Sequence, residues 1–436
     1  MPDGEDRPNV VIFTSHDSGT QFGCYGAPVE TPEVDEVAKE GVVFTNNFCT
    51  APQCTPSRGS IMTGKYPHSN GLMGLVNYGW KLPPKNTTLP DIFKKAGYST
   101  HLIGLQHETN DPCKLGYEEV SNRTDFPYLA QTVVPKAEDF FEEMRDAKKP
   151  FMASVGVFET HRPFPHFEKD DGLANLPSFL LSHPRMKRDF TRFKKSLRAL
   201  DEAVGDVWKS IEENDLKNDT LFIFTVDHGI AFPRAKCTLY DPGIRTALIM
   251  VWPEKLRAGR RIEQMVSNVD ILPTLCELLD VPRPEEVEGK SYTSLVLDQE
   301  SAGREFIHAE LTYHDIGYNP MRGIRSKRYK YIKNLEELPF LFEMPDDIRT
   351  SDSGEAFLEA FGKDKYNQPR PEEELYDLAE DPLERNNLAD NPEYAETKQR
   401  LKKETLDWMK RTGDPVLDGK IEADENKQAS LFYEVI

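Results

Sequence analysis

Apolar runs of strand length alternate with amphipathic stretches through the first two-thirds of the chain. Val10–Thr14 is continuously apolar and breaks at Ser15-His16-Asp17-Ser18-Gly19, which predicts a strand buried on both faces. Thr31-Pro32 opens a helix, with Thr as N-cap and Pro in the first turn, and Val34, Val37 and Ala38 share its inner face up to Gly41. A short strand, Val42–Phe44, follows. Leu89–Ala96 reads as a helix closed by Gly97, Tyr98–Ile103 as a strand, Lys136–Ala147 as a helix and Phe151–Phe158 as a strand. The longest helix is expected over Phe193–Glu213, where Leu197, Leu200, Val204, Val207, Trp208 and Ile211 recur at steps of mostly three and four. Leu221–Val226 then runs straight into Asp227-His228-Gly229. Ala247–Trp252 is another buried strand, and Asp270 is placed to cap a helix Ile271–Leu279. This alternation predicts an α/β fold, a mostly parallel sheet covered by helices on both faces.

The texture changes after about residue 305. Arg322–Asn334 is basic, Tyr-rich and strand-like, Asn334–Pro371 is acidic and irregular, and Glu396–Arg411 is a polar helix. The expected organisation is a large α/β domain over 1–305 and a smaller α+β subdomain with an antiparallel sheet over 306–436. The 436 residues are 38% hydrophobic, enough for a sizeable core. A net charge of −20 argues against nucleic acid or an anionic membrane surface as partner. Tyr329 and Tyr331 alternate with Lys330 and Lys333, which fits a strand with one solvated face better than a nucleic-acid patch. No apolar run approaches the roughly 18 residues of a membrane span. The acidic start, Met1–Asp6, lacks the features of a secretory leader, so a cytoplasmic location is expected, or a secreted or periplasmic one if a leader has been trimmed. Six cysteines without a C-x-x-C pair make neither a disulfide framework nor a zinc ribbon; all but Cys54 are expected to be buried small hydrophobes.

Three predicted strands end in residues able to bind metal or move protons: His16-Asp17, Glu159-Thr160-His161 and Asp227-His228. Ligands of open α/β sheets bind at the carboxyl ends of strands. Carboxylates and imidazoles gathered there suit a divalent cation, with hard oxygens favouring Ca²⁺, Mg²⁺ or Mn²⁺. Cys54 stands just before a helix whose first turn holds Pro56, where a developing negative charge is favoured, and Arg58 lies four residues on. By itself this arrangement reads as an activated thiolate, with His107 or His161 as base.

Cys54-x-Pro56-Ser57-Arg58, followed by Thr63-Gly64-Lys65, resembles the signature of the type I sulfatases. Pro8-Asn9-Val10-Val11, Asp227-His228-Gly229, and Glu374–Leu378 with Asp381-Pro382 and Asn387-Leu388 extend the likeness over most of the chain. Phe224-Thr225-x-Asp227-x-Gly229-Ile230-x-Phe232-Pro233, Leu239-Tyr240-x-Pro242-Gly243 and Tyr318-x-Pro320-Met321-Arg322 place it nearest the heparan N-sulfatase-like branch. The resemblance implies an alkaline-phosphatase-like fold and hydrolysis of sulfate esters or N-sulfamates of sulfated carbohydrates, glycosaminoglycans among them. It implies that Cys54 is oxidised to formylglycine by a maturation enzyme, and that the hydrated aldehyde attacks sulfur and later collapses to expel sulfate. One divalent cation is implied, Ca²⁺ first, with Mg²⁺, Mn²⁺ or Zn²⁺ as alternatives, bound by Asp17, Asp227, His228, the modified Cys54 and His16. Arg58, His107, His161 and Lys236 are the implied catalytic residues. Arg58, Lys65 and Lys236 would supply positive charge for sulfate, and Lys236, His314 and Arg322 would contact substrate.

The chain departs from the family pattern at three places. His16-Asp17 stands for Asp-Asp, Asp227-His228 for Asp-Asn, and Gly104-Leu105-Gln106-His107 for Gly-Lys-x-His, without its lysine. Two imidazoles soften the metal site toward Mn²⁺ or Zn²⁺. His228 also occurs in related phosphonate-cleaving enzymes, so a phosphonate or phosphate monoester hydrolase is the alternative activity. A non-catalytic binder of sulfated glycans, with Cys54 unmodified, is the third reading.

Overall fold

The computed structural model describes residues 7–121, 127–166, 174–315 and 317–423. The acidic Met1–Asp6 segment lies outside these residues. Strands are numbered along the chain. The large sheet contains β1 (Asn9–Ser15), β2 (Val42–Phe44), β4 (Ser99–Gly104), β5 (Glu119–Ser121), β6 (Phe151–Gly156), β7 (Thr220–Val226), β9 (Leu248–Val251) and β10 (Arg260–Ile262). A small sheet joins β3 (Asn47–Phe48), β8 (Arg245–Thr246) and β11 (Val266–Ser267).

The large sheet runs β10-β2-β9-β7-β1-β6-β4-β5, and all its pairings are parallel except the two made by β9. Alternation along β1 divides the core between the two faces: Val11 and Phe13 join one apolar cluster, Val10 and Ile12 the other. The first cluster is closed by the helices Ala130–Met144 and Pro184–Glu213, the second by Ile271–Leu278.

The long helix starts nine residues before its expected beginning, because His183 caps it and Pro184 occupies its first position. The helix before β6 begins at Ala130 rather than Lys136 and carries Pro135 within it. Asp270 does not cap through its side chain; its carboxylate pairs with Arg304 and accepts from the Lys290 backbone N–H (2.7 Å).

Beyond residue 306 a four-stranded antiparallel sheet forms from β12 (Ile307–His314), β13 (Gly317–Arg325), β14 (Tyr329–Asn334) and β15 (Glu373–Asp377), in that order. The basic Tyr-rich stretch is therefore the end of one strand, a turn and a second strand, since Ser326 Oγ accepts from the Tyr329 N–H (2.9 Å) and closes a hairpin. The acidic segment expected to be irregular contains the helix Asp352–Phe361. Ser351 caps it, Asp352 and Glu355 complement its dipole, and Ala356 and Phe357 face inward. The polar helix Ala395–Thr412 covers this sheet, with Trp408 stacked on His308 at 4.7 Å. Cys113, expected to be buried, is exposed; Cys49, Cys54, Cys237 and Cys276 are buried, and none of the six is in a disulfide. Among the described residues no helix is long and apolar enough to cross a membrane.

Candidate active site

β7, β1, β6 and β4 are parallel neighbours, so their carboxyl ends lie side by side. Asp227 follows β7 directly, His16 and Asp17 follow β1, His161 comes five residues after β6 and His107 three after β4. Asp17 has φ +43°, the left-handed region that Asp tolerates better than most residues, and its N–H donates to Asp227 Oδ1 (3.0 Å). Only glycine fits after His228, because a Cβ at Gly229 would stand 1.8 Å from the Pro242 carbonyl oxygen.

Cys54 is the first residue of the helix Cys54–Thr63, where extended Gln53 turns into the helix and Pro56 costs no backbone bond. Its N-terminus is pinned to the same edge. Ser57 Oγ donates to the Asp227 carbonyl, Asn268 Nδ2 donates to Ser57 Oγ (2.8 Å), and Arg58 Nη2 donates to the Ser15 carbonyl (3.2 Å). The positive end of that helix therefore meets the carboxyl ends of four strands at one point.

At that point Cys54 Sγ lies 3.2 Å from His228 Nε2 and 3.8 Å from Asp17 Oδ1. Asp17 Oδ1 is 3.0 Å from His228 Nε2, and its Oδ2 is 2.8 Å from Lys236 Nζ. Asp227 Oδ2 accepts from Arg58 Nε at 3.0 Å. Lys236 Nζ also lies 3.5 Å from His161 Nε2 and 3.4 Å from Asp347 Oδ2. His107 stands close to Cys54, and its ring centroid is 6.0 Å from that of His16. A cavity of about 300 Å³, lined by His16, Leu105, His107, Asp111, Phe158 and His161 among others, opens beside the cluster.

Burial would raise the Cys54 thiol, but the Lys236 and His228 charges, with His107 and His16 close by, pull it well below its ordinary value. Burial likewise opposes ionisation of Asp17, yet the Lys236 and His228 charges hold it well below the usual carboxylate range. Asp227 is lowered to about 2 against its burial, chiefly by His228, His16 and Arg58. Burial lowers His107 despite its contact with Cys54.

His16, Asp17, Cys54 and Asp227 each place a donor atom within 4.8 Å of the others. His16 Nδ1 is 3.0 Å from Asp227 Oδ2, yet neither of its buried ring nitrogens makes a well-directed hydrogen bond. Buried nitrogens without aligned donors or acceptors, set among carboxylates, fit a cation held between them.

Nine of the sequence-predicted residues thus meet here: His16, Asp17, Cys54, Arg58, His107, His161, Asp227, His228 and Lys236. His314 does not touch the cluster. Its Nδ1 is 3.2 Å from Asp315 Oδ1, and it lines a separate cavity of about 370 Å³ with Cys237, Asp315, Asn319 and Arg349. Arg322 overturns its expected role in substrate contact. It is fully buried, and its guanidinium is occupied by Asp414 (2.5 and 3.0 Å) and the Leu311 and Met321 carbonyls (both 3.0 Å). With His68 and Glu310 it forms a second buried charge cluster. Lys65 follows the far end of the ten-residue Cys54 helix, about 15 Å of rise from its start, and donates to Asn86 (3.3 Å), so it supplies no charge at the nucleophile. Two contributors had no signal in the sequence. Asn268 buttresses Ser57 from a short turn, and Asp347 reaches Lys236 from the acidic segment read as irregular.

Residues 8–281 match the family described as Sulfatase, and residues 230–356 match the N-sulphoglucosamine sulphohydrolase C-terminal family. An ulvan-active sulfatase of Formosa agariphila is 30% identical over 95% of this chain and 82% of its own length. The N-sulphoglucosamine sulphohydrolase of Homo sapiens is 26% identical over 98% of this chain and 95% of its own. A solved structure in complex with its substrate, D-glucosamine-2-N,6-O-disulfate, superposes with a TM-score of 0.74 at 20% identity, covering 95% of this chain and all of that one. A family match across more than half the chain agrees with the cysteine, aspartates and histidines gathered at one sheet edge: the chain belongs to the sulfatase family and is a sulfuric ester hydrolase.

Proposed function

We propose that the protein removes sulfate, as an ester or an N-sulfamate, from sulfated carbohydrates of the glycosaminoglycan type, using Cys54 in its formylglycine form and one divalent cation. The observation that carries this reading is the position of Cys54 Sγ at a helix N-terminus, 3.8 Å from Asp17 Oδ1 and 3.2 Å from His228 Nε2. Supporting it, the human relative is named for N-sulphoglucosamine and the Formosa relative for ulvan.

His16, Asp17, Asp227 and His228 would hold the cation, which supplies Lewis-acid stabilisation, while formylglycine supplies the attacking oxygen. The chain's own groups do the rest. Lys236 Nζ and the start of the Cys54 helix place positive charge where a sulfate oxygen would lie, in a buried site where such charge acts strongly. Arg58 keeps Asp227 ionised and oriented. His161 Nδ1 faces the Arg162 carbonyl and so carries the proton, leaving the Nε2 lone pair toward Lys236 and the site. His107 stands on the cavity side of Cys54. These two imidazoles are the groups placed to move protons to the departing alcohol or amine and from the group at position 54.

The test has two parts. Mass analysis of the Gln53–Lys65 peptide is expected to show formylglycine in active protein after co-expression with a sulfatase-maturing enzyme. A panel of defined sulfated mono- and disaccharides is expected to yield a desulfated sugar, and Cys54→Ala to yield none. Active protein carrying only thiol at Cys54, or preferential cleavage of aryl phosphonate over aryl sulfate, would overturn the reading.

A further inference from the structure

The donor atoms at the sheet edge are not those of a calcium site. Ca²⁺ takes six to eight oxygen ligands. Here only Asp17 and Asp227 offer carboxylate oxygens among the four residues expected to hold the ion, and most of those oxygens are already engaged. Asp17 Oδ2 is paired with Lys236 (2.8 Å), and Asp227 Oδ2 accepts from Arg58 Nε (3.0 Å). Asp227 Oδ1 accepts the backbone N–H of Asp17 (3.0 Å) and of His228 (2.8 Å).

The other two donors are nitrogens. His228 Nδ1 stands 2.9 Å from the Gly229 carbonyl, so it carries a hydrogen and turns Nε2 toward Asp17 Oδ1 at 3.0 Å. That nitrogen and the carboxylate oxygen are two possible metal-donor atoms facing each other in a buried site. Donation of the remote ring N–H to a backbone carbonyl is also the usual way a protein orients a metal-binding imidazole. His16 is 2% exposed, and both its ring nitrogens lack a directed partner, although Nδ1 is 3.0 Å from Asp227 Oδ2. Two imidazoles and two partly occupied carboxylates form a nitrogen–oxygen set of low coordination number, which suits borderline first-row ions.

We propose that this centre selects a first-row transition ion, Mn²⁺ or Zn²⁺, over Ca²⁺, with His16 and His228 as the selecting residues. The inference rests on the proposed metal-assisted reading of the site.

Cys54→Ala protein, which carries no sulfur at the site, would be stripped of metal and titrated separately with CaCl₂, MnCl₂, ZnCl₂ and CoCl₂. Affinities come from calorimetry, and Co²⁺ reports nitrogen ligation through its visible absorption. Mn²⁺ or Zn²⁺ is expected to bind at least about tenfold more tightly than Ca²⁺, and the double variant His16→Asp/His228→Asn to shift that ratio toward Ca²⁺ and lose the Co²⁺ band. Metal analysis of wild-type protein as purified gives a second readout that needs no variant, with Mn²⁺ or Zn²⁺ expected in excess of Ca²⁺. Equal or tighter Ca²⁺ binding, no cation binding at all, or a ratio unchanged in a folded double variant would overturn the proposal. A Ca²⁺ preference in protein that still desulfates sugars would sink this inference alone and leave the proposed function standing.

Discussion

Replacing Arg58 by Ala tests whether the nucleophile helix and the carboxylate edge are one electrostatic unit. Arg58 is 3% exposed, and its Nε is 3.0 Å from Asp227 Oδ2 while its Nη2 reaches the Ser15 carbonyl. At that separation an effective dielectric near 20 gives an attraction of about 5 kcal/mol, much of it offset by the desolvation of both ions. Breaking such a pair from one side leaves a buried charge uncompensated, at about 3–5 kcal/mol. Urea unfolding of Arg58→Ala is therefore expected to show a loss of that size. Its kcat/KM for a sulfated sugar should fall at least about a hundredfold, because Asp227 loses its orienting partner. Arg58→Lys restores the charge but not two donors in a fixed fork, so both quantities should recover only in part. Unfolding within about 1 kcal/mol of wild type together with unchanged turnover in Arg58→Ala would refute the coupling.

Lys236→Met should lower kcat by about 10²–10³ on sugar and aryl sulfates alike, since the buried cation faces Asp17 rather than the sugar; an effect confined to KM would assign it to binding. Arg322→Ala should cost about 3–5 kcal/mol in unfolding free energy and leave the KM of the folded protein unchanged, as expected of a cation spent on Asp414; a raised KM at unchanged stability would restore its role in substrate contact. The Asp227 carboxyl is held at about 2, below its unfolded value, so the stability it contributes is complete above the ordinary carboxylate range and is lost as pH falls toward 2. Melting temperature measured from pH 6 to pH 2 should drop through this window, about as steeply as the proton difference allows, and flatten in Asp227→Asn.

Local patterns carried much of what was readable beforehand. Buried strands announced themselves as unbroken apolar runs, and Pro-initiated helices by their caps, because these preferences act over a few residues. The long helix was underestimated at its start because residues 184–192 are mostly charged and helix formation there depends on the Pro184 start and on tertiary packing of Met186 and Phe190. The acidic 334–371 segment looked irregular because its short helices are stabilised by what they pack against, Phe357 with Ala231 and Ile348, rather than by their own periodicity.

By itself, the order of residues determined the alternating α/β plan, which strand ends bear Asp and His, and that Cys54 stands at a helix start, since chain direction and side-chain spacing are local properties. Only the tertiary structure decided that β7, β1, β6 and β4 lie side by side, bringing residues as far apart as His16 and His228 to one point. Only it separated the two buried charge clusters, giving Lys236 to Asp17 and Arg322 to Asp414. The physical reason is that an arginine or lysine has the same charge wherever it stands in the chain. Which carboxylate it neutralises, and whether it faces solvent, substrate or the core, depends on how the strands and helices pack.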